Sequence, residues 1–285
     1  TTGQYNTAVG HDSLVFNTTG DNNTAVGKNS MENNTTGYDN AAVGYSSMEY
    51  NTTGYSNTAF GPYALKNNTT GYNNTGIGRG ALQNNTTGDT NTGIGRGALQ
   101  NNTTGDDNVA LGAYSLNSNT TGYQNTATGR NALESNTTGY RNVASGSYSL
   151  MDNTTGYSNT AYGFASMYEN TTGYENTTSG RGSLANNTTG STNTALGFYS
   201  MINSTTGTSN TVVGHESLRT NTTGSQNTVF GKQAGYSNST GSGNVFLGYQ
   251  AGYNETGSNK LYIDNSNTST PLIYGDFDTD KVTIN

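Results

Sequence analysis

A strict period of seventeen residues constrains this chain more than any other feature. The segment TTGYNNTGIGRGALQNN, Thr69 to Asn85, is followed at once by TTGDTNTGIGRGALQNN, Thr86 to Asn102, and the two copies differ at two positions. The same frame runs through fifteen consecutive units from Thr1 to Glu255 without insertion or deletion. One unit alone cannot bury its apolar face, so a short period kept over this length implies a stack in which each unit completes its neighbours.

Written as T-T-G-x-x-N-T-A-Φ-G-x-x-(S/A)-(L/M)-x-x-N, the unit defines columns of equivalent positions, with Φ mostly Val, Ile, Leu or Phe. The third and tenth columns are Gly in every unit, from Gly3 to Gly241 and from Gly10 to Gly248. A glycine demanded in every layer marks either a positive φ or an approach too close for a Cβ. Two glycines per unit, the recurrent Asn and Thr, and the lack of a 3.6-residue apolar period exclude a helix. The alternation N-T-A-Φ predicts a short strand with the Thr and Φ columns on one face and Ala on the other. A second short strand is expected over the next pair of apolar columns, as at Ser13-Leu14 and Ala81-Leu82. The sixth column is always Asn, and Asn6, Asn23, Asn40, Asn57, Asn74, Asn91, Asn108 and Asn125 are expected to form a buried amide ladder. The fold class is therefore all-β, a parallel β-roll or β-solenoid of fifteen 17-residue coils.

Composition sharpens this. Only 29% of the residues are hydrophobic, there is no Trp and no Cys, and 40 are Gly, so a thick globular core and a disulfide frame are both excluded. A modest net charge of −7, two Pro and 21 Tyr separate the chain from disordered sequences. With about three apolar side chains per layer, so thin a coil is expected to share an apolar face with identical chains. The Φ and Leu/Met columns should then divide, one filling each coil and one facing the partner. Φ lapses at Thr128, Ser145, Tyr162 and Ser179, where the array should be softest. Toward the end bulk changes sides: the Ala column becomes Val212, Val229 and Phe246 while the Leu column becomes Gly235 and Gly252. Thr256 to Asn285 leaves the period and reads as a small C-terminal β cap, with strands expected at Leu261–Asp264, Leu272–Phe277 and Lys281–Ile284. No apolar run is long enough for a membrane span, and no signal peptide is seen. The first residue is also the first of a repeat, which reads as a fragment or a processed product.

The segment G-x-x-N-T-A-V-G, as at Gly20 to Gly27, resembles the repeat of YadA-like head domains in trimeric autotransporter adhesins and in related phage and bacterial fibre proteins. The resemblance covers all fifteen units, although the unit here is longer than the family's, the surplus lying in the N-N-T-T turn. The tail KLYIDNSNTSTPLIYGDFDTDKVTIN is similar to segments that follow such repeats in long fibres. What the resemblance implies is a left-handed roll, association of three chains about a threefold axis, and an adhesive role outside the cell, at its surface or on a virion tail fibre.

Motifs with chemical potential are few. His11 and His215 occupy the eleventh column in H-D-S and H-E-S, but neighbours in sequence do not converge as a catalytic triad must. The two are twelve layers apart, about 55–60 Å at strand spacing, so they cannot share a metal within one chain. G-I-G-R-G at Gly76 to Gly80 imitates a nucleotide-binding loop without the helix that loop requires. Asp21, Asp89 and Asp106 form no continuous carboxylate column, and no metal or other cofactor is expected. Junctions such as Asn34-Thr35-Thr36 are N-x-T sequons that turn and ladder chemistry already explains. Two stripes could contact surface glycans: Tyr38, Tyr55, Tyr72, Tyr123, Tyr140, Tyr157 and Tyr174 in the fourth column, and Lys28, Arg79, Arg96, Arg130, Arg181 and Lys232 in the eleventh. The blander reading is that they only coat the fibre and keep it soluble. The acidic total argues against a nucleic-acid partner. The expectation is a non-enzymatic fibre segment, homotrimeric, able to pack end to end, and adhesive. The alternatives are a polymerising extracellular filament subunit and a carbohydrate- or ice-binding solenoid. For ice binding, the paired Thr sit at the turn before Gly and do not form the T-x-T array needed.

Overall fold

The computed structural model describes residues 2–285; Thr1, which opens the first repeat, lies outside them. The chain divides into two compact units, Thr1–Asn142 and Val143–Asn285. In the first, three-residue strands recur every seventeen residues: β1 (Thr7–Val9), β2 (Thr24–Val26), β3 (Ala41–Val43), β4 (Thr58–Phe60), β5 (Thr75–Ile77), β6 (Thr92–Ile94), β7 (Val109–Leu111) and β8 (Thr126–Thr128). The second continues the pattern with β9 (Val143–Ser145), β10 (Thr160–Tyr162), β11 (Thr177–Ser179), β12 (Thr194–Leu196), β13 (Thr211–Val213), β14 (Thr228–Phe230) and β15 (Val245–Leu247). Within each unit consecutive strands pair in parallel, and column stacks on column: Thr75 lies against Thr92, Gly76 against Gly93 and Ile77 against Ile94. The molecule is an all-β parallel solenoid of about fifteen 17-residue turns.

The strand alternation follows the sequence pattern. Ala25, Ala42, Ala59, Ala110 and Ala127 are fully buried, while the Φ residues between them face out. The interior is completed by the Leu/Met column, in which Met31, Met48, Leu65, Leu82, Leu99, Leu116 and Leu133 have no exposed surface. Leu/Met therefore fills the coil and Φ lies outside it. The lapse of Φ at Thr128, Ser145, Tyr162 and Ser179 consequently removes no core: Ala127, Ala144, Ala161 and Thr178 beside it, and Leu133, Leu150, Met167 and Leu184 of the same layers, remain fully buried.

The expected second strand does not form. Residues of the eleventh to sixteenth columns make a run of turns, and two of them take positive φ, as with Gly97 at +65° and Leu99 at +51°. The hydrogen bonds explain why. Ala98 N–H donates to Gly95 O at 3.3 Å and Asn102 N–H to Leu99 O at 3.1 Å, closing turns inside the coil. The alternate amides bond between layers instead, Gly97 N–H to Arg79 O at 3.0 Å and Leu99 N–H to Ser115 O at 3.0 Å. Some of the donors are thus spent locally, and a strand, which must send all of them to neighbours, is not available.

The two glycine columns answer to different causes. Gly78 has φ +128°, and a Cβ there would stand 2.7 Å from Gly95 O. Gly88 needs no positive φ; its Cβ would meet Gly105 O at 2.5 Å, Asn85 Oδ1 at 2.6 Å and Asn102 Nδ2 at 2.9 Å. Those amides belong to two ladders that converge on the third-column carbonyls. In the sixth column Asn91 Nδ2 donates to Gly105 O at 2.8 Å and Asn74 Oδ1 at 3.2 Å, and Asn91 Oδ1 accepts from Asn108 N–H at 3.0 Å. In the seventeenth column Asn102 Nδ2 donates to the same Gly105 O at 2.9 Å and to Asn85 Oδ1 at 2.7 Å. Asn23, Asn40, Asn57, Asn74, Asn91, Asn108 and Asn125 are all buried; Asn6, in the first layer, is half-buried and donates to Gly20 O at 2.8 Å. Only the sixth-column ladder was expected from the sequence; the seventeenth-column one was hidden inside what reads as a turn.

The second ladder carries a defect. Its position is Ser204 in one layer, and Asn187 Oδ1, Ser204 Oγ and Asn221 Oδ1 are buried there without a hydrogen-bond partner. Asn91→Ala should cost about 1–3 kcal/mol by leaving buried groups unpaired, whereas Ser204→Asn should stabilise the second unit by about 1 kcal/mol. Urea unfolding midpoints of the two variants check both signs, and equal destabilisation by both would remove the ladder argument.

At the C-terminal end the change of bulk has a geometric basis. Phe246 is fully buried, and its ring lies 2.6 Å from where a Cβ of Gly235 or of Gly252 would be. Three further strands follow, β16 (Lys260–Ile263), β17 (Ile273–Asp276) and β18 (Lys281–Ile284). β16 adds in parallel to β15 with Phe246 opposite Tyr262, one residue short of the period, and then β17 and β18 run antiparallel. Lys260 Nζ lies 3.0 Å from Asp276 Oδ2, and this contact holds the Asp276 carboxyl below its ordinary range.

Candidate functional site

The fourth column projects its rings outward, and the constant layer spacing stacks them. In the first unit Tyr38, Tyr55 and Tyr72 form a three-ring pile with centroids 4.9 Å apart and planes within 3°. Tyr123 and Tyr140 stack at 5.0 Å, and in the second unit Tyr157 and Tyr174 stack at 4.9 Å. The three-ring pile ends where Asp89 replaces Tyr; its Oδ1 accepts from Tyr72 N–H at 2.9 Å, and hydrogen bonding to this carboxylate raises the Tyr72 phenol above its ordinary value.

The eleventh-column side chains Arg79, Arg96, Arg130 and Arg181 are exposed, but their neighbours differ. Arg130 Nε donates to Asn131 Oδ1 at 3.0 Å, and Asn131 in turn donates to Glu134. Arg96 lies over the Tyr114 ring at 5.4 Å, and Arg181 over Phe164 at 5.5 Å and Tyr199 at 6.0 Å. In those three layers, 79, 96 and 181, the next residue is Gly, so no twelfth-column side chain ties the guanidinium down.

The histidines sit beside their neighbouring acids and not beside a nucleophile. His11 Nδ1 lies 2.6 Å from Asp12 Oδ2 and His215 Nδ1 3.7 Å from Glu216 Oε2. The serine of H-D-S, Ser13, donates to Ala25 O at 3.0 Å, and that of H-E-S, Ser217, is buried and donates to Gly214 O at 2.8 Å. The G-I-G-R-G amides are spent as well: Gly78 N–H donates to Phe60 O at 2.7 Å and Gly80 N–H to Pro62 O at 3.0 Å, leaving neither to cradle a phosphate. Asn34 of the sequon is buried, with its Nδ2 on Asn17 Oδ1 at 2.8 Å and Gly37 O at 3.0 Å, so the folded chain does not present it.

One surface was legible only as an either-or. Because Ala points inward, the Thr of each strand and its Φ residue two positions on stand together on the outer face, a T-x-Φ array. In the first unit Phe60, Ile77, Ile94 and Leu111 follow one another on it, each 37–46% exposed. Four large apolar side chains in successive layers form a continuous patch. No helix of the described residues is long and apolar enough to cross a membrane. No family model, no curated relative and no solved structure matches this chain.

Proposed function

We propose that this chain is a non-enzymatic structural fibre segment that associates with copies of itself through the T-x-Φ face and displays the Tyr and Arg columns as an adhesive surface. The observation that carries the reading is the run Phe60, Ile77, Ile94 and Leu111: it is half-exposed in successive layers although Leu65, Leu82, Leu99 and Leu116 already fill the interior. Apolar residues that the coil does not need for its own core mark a surface meant to be covered. A face that recurs at one spacing from layer to layer is best covered by the same face of another copy, since the two then match in register. The resemblance to YadA-like heads supports three copies and a place outside the cell, at its surface or on a virion fibre. Native mass spectrometry at micromolar concentration should find three times the 29.8 kDa chain mass. A species at 29.8 kDa alone would falsify the self-association.

A further inference from the structure

We propose that the groove between Tyr63 and Tyr114 in the first unit binds an acidic sugar residue, its carboxylate or sulfate held by Arg79, Arg96 and Lys66. The groove exists because the twelfth column, Tyr in the layers of Tyr63 and Tyr114, is Gly80 and Gly97 in the two layers between. The two absent side chains open a slot between Tyr63 and Tyr114, and the Tyr114 ring leans over Gly97, 2.9 Å from where a Cβ would stand. Its volume is about 320 Å³, at the small end of ligand sites.

The lining selects the ligand. Three of the eleven Lys and Arg of an acidic chain converge here, and no carboxylate lines the groove. Lys66 is shared with Glu49 at 3.5 Å, but Arg79 and Arg96 have no ion-pair partner among the described residues. Arg130, in the same column, shows what this means: there the following Asn131 accepts from the guanidinium, whereas Gly80 and Gly97 leave the fork open to an oxyanion. Along the same groove Gln100 Nε2 donates to Gln83 Oε1 at 3.3 Å, an amide row suited to ring hydroxyls. The Tyr rings at the two ends hold two of the cations in place, Lys66 Nζ 5.6 Å over Tyr63 and Arg96 5.4 Å over Tyr114. The corresponding groove in the second unit, beside Gly182, has the single cation Arg181 and is lined by Ala185 and Ile202, so it lacks both the charge and the amide row.

The inference deepens the adhesive half of the function proposed above and is independent of self-association. The test is calorimetric titration of the full chain with a sulfated heparin disaccharide, a uronic-acid disaccharide, lactose, inorganic sulfate and ATP. Saturable binding of one or both acidic disaccharides, but not lactose, is expected, and which of the two binds tells sulfate from carboxylate. Arg79→Gln with Arg96→Gln should weaken binding about tenfold or more, because two charge-assisted contacts are lost. Gly80→Asn, which copies the Arg130–Asn131 arrangement, should weaken it as well, and Arg181→Gln should leave it unchanged. The four substitutions lie in the exposed eleventh column or at a position where other layers already carry side chains at positive φ, so the melting temperature should fall by no more than about a few degrees. No binding, binding unaffected by the double variant, equal loss in Arg181→Gln, or inorganic sulfate or ATP binding as tightly as the disaccharides would each overturn the proposal. Native mass on the same samples separates the two readings: a trimer that binds no acidic sugar defeats only this one, and a monomer that binds it defeats only self-association.

Discussion

Gly78→Ala should destabilise the first unit by about 3–5 kcal/mol, whereas Gly80→Ala, two residues on, should cost about 1 kcal/mol. Both glycines have positive φ, but +67° lies in the left-handed region that non-glycine residues of this chain occupy at φ 49–62°, whereas φ near +128° is taken by glycine alone among the described residues. What a methyl group meets widens the difference. At Gly78 it would stand 2.7 Å from the oxygen and 2.8 Å from the carbonyl carbon of Gly95, backbone of the adjoining layer that Gly95 N–H···O=C Ile77 bonding, at 2.8 Å, holds in place. Relief requires the layers to part and ladder bonds to break. At Gly80 the nearest atom is the Gln83 Oε1 tip at 3.1 Å, which can rotate away, and Tyr63 and Tyr114 occupy the same column at φ +62° and +60°. Urea unfolding with amide exchange across residues 61–95 reads both effects. Equal losses would show that neither φ +128° nor the layer contact keeps this column glycine.

Leu99→Asp should unfold the layers around it, at a cost of about 4 kcal/mol or more, while Ile94→Asp should change chain stability by under about 1 kcal/mol. Leu99 has no exposed surface and is surrounded by the interior of its own and adjoining coils, so an aspartate there is ionised without water or protonated at a free-energy cost. Ile94 is 39% exposed on the outer face, where a carboxylate keeps its hydration. The expected consequence of charge on that face is on assembly: Ile77→Asp, Ile94→Asp and Leu111→Asp together should leave the far-ultraviolet β spectrum intact and shift the native mass from trimer to monomer. A triple variant that stays trimeric would place the shared face elsewhere. One that unfolds would show that Φ supports the coil itself.

The seventeen-residue stack, the strand at N-T-A-Φ, the Asn column and the two glycine columns were all legible in the chain alone, because stacked layers repeat one environment and a residue required there recurs at every turn. The strands after the last repeat were legible to within about one residue at most of their ends, since alternation and turn residues are local signals. Three matters were decided only by the tertiary structure. Alternation separates two faces without saying which is inside, so the inward choice of Ala over Φ depended on the Leu/Met column filling the coil opposite it. The second segment reads as a strand because leucine carries no sign of a left-handed backbone; Asn and Gly in the fifth and twelfth columns hint at one, but Leu99 at φ +51° is held there by turn and interlayer hydrogen bonds. The groove at Gly80 and Gly97 depends on the same cause, since two glycines seventeen residues apart become one opening only when parallel layers set them side by side.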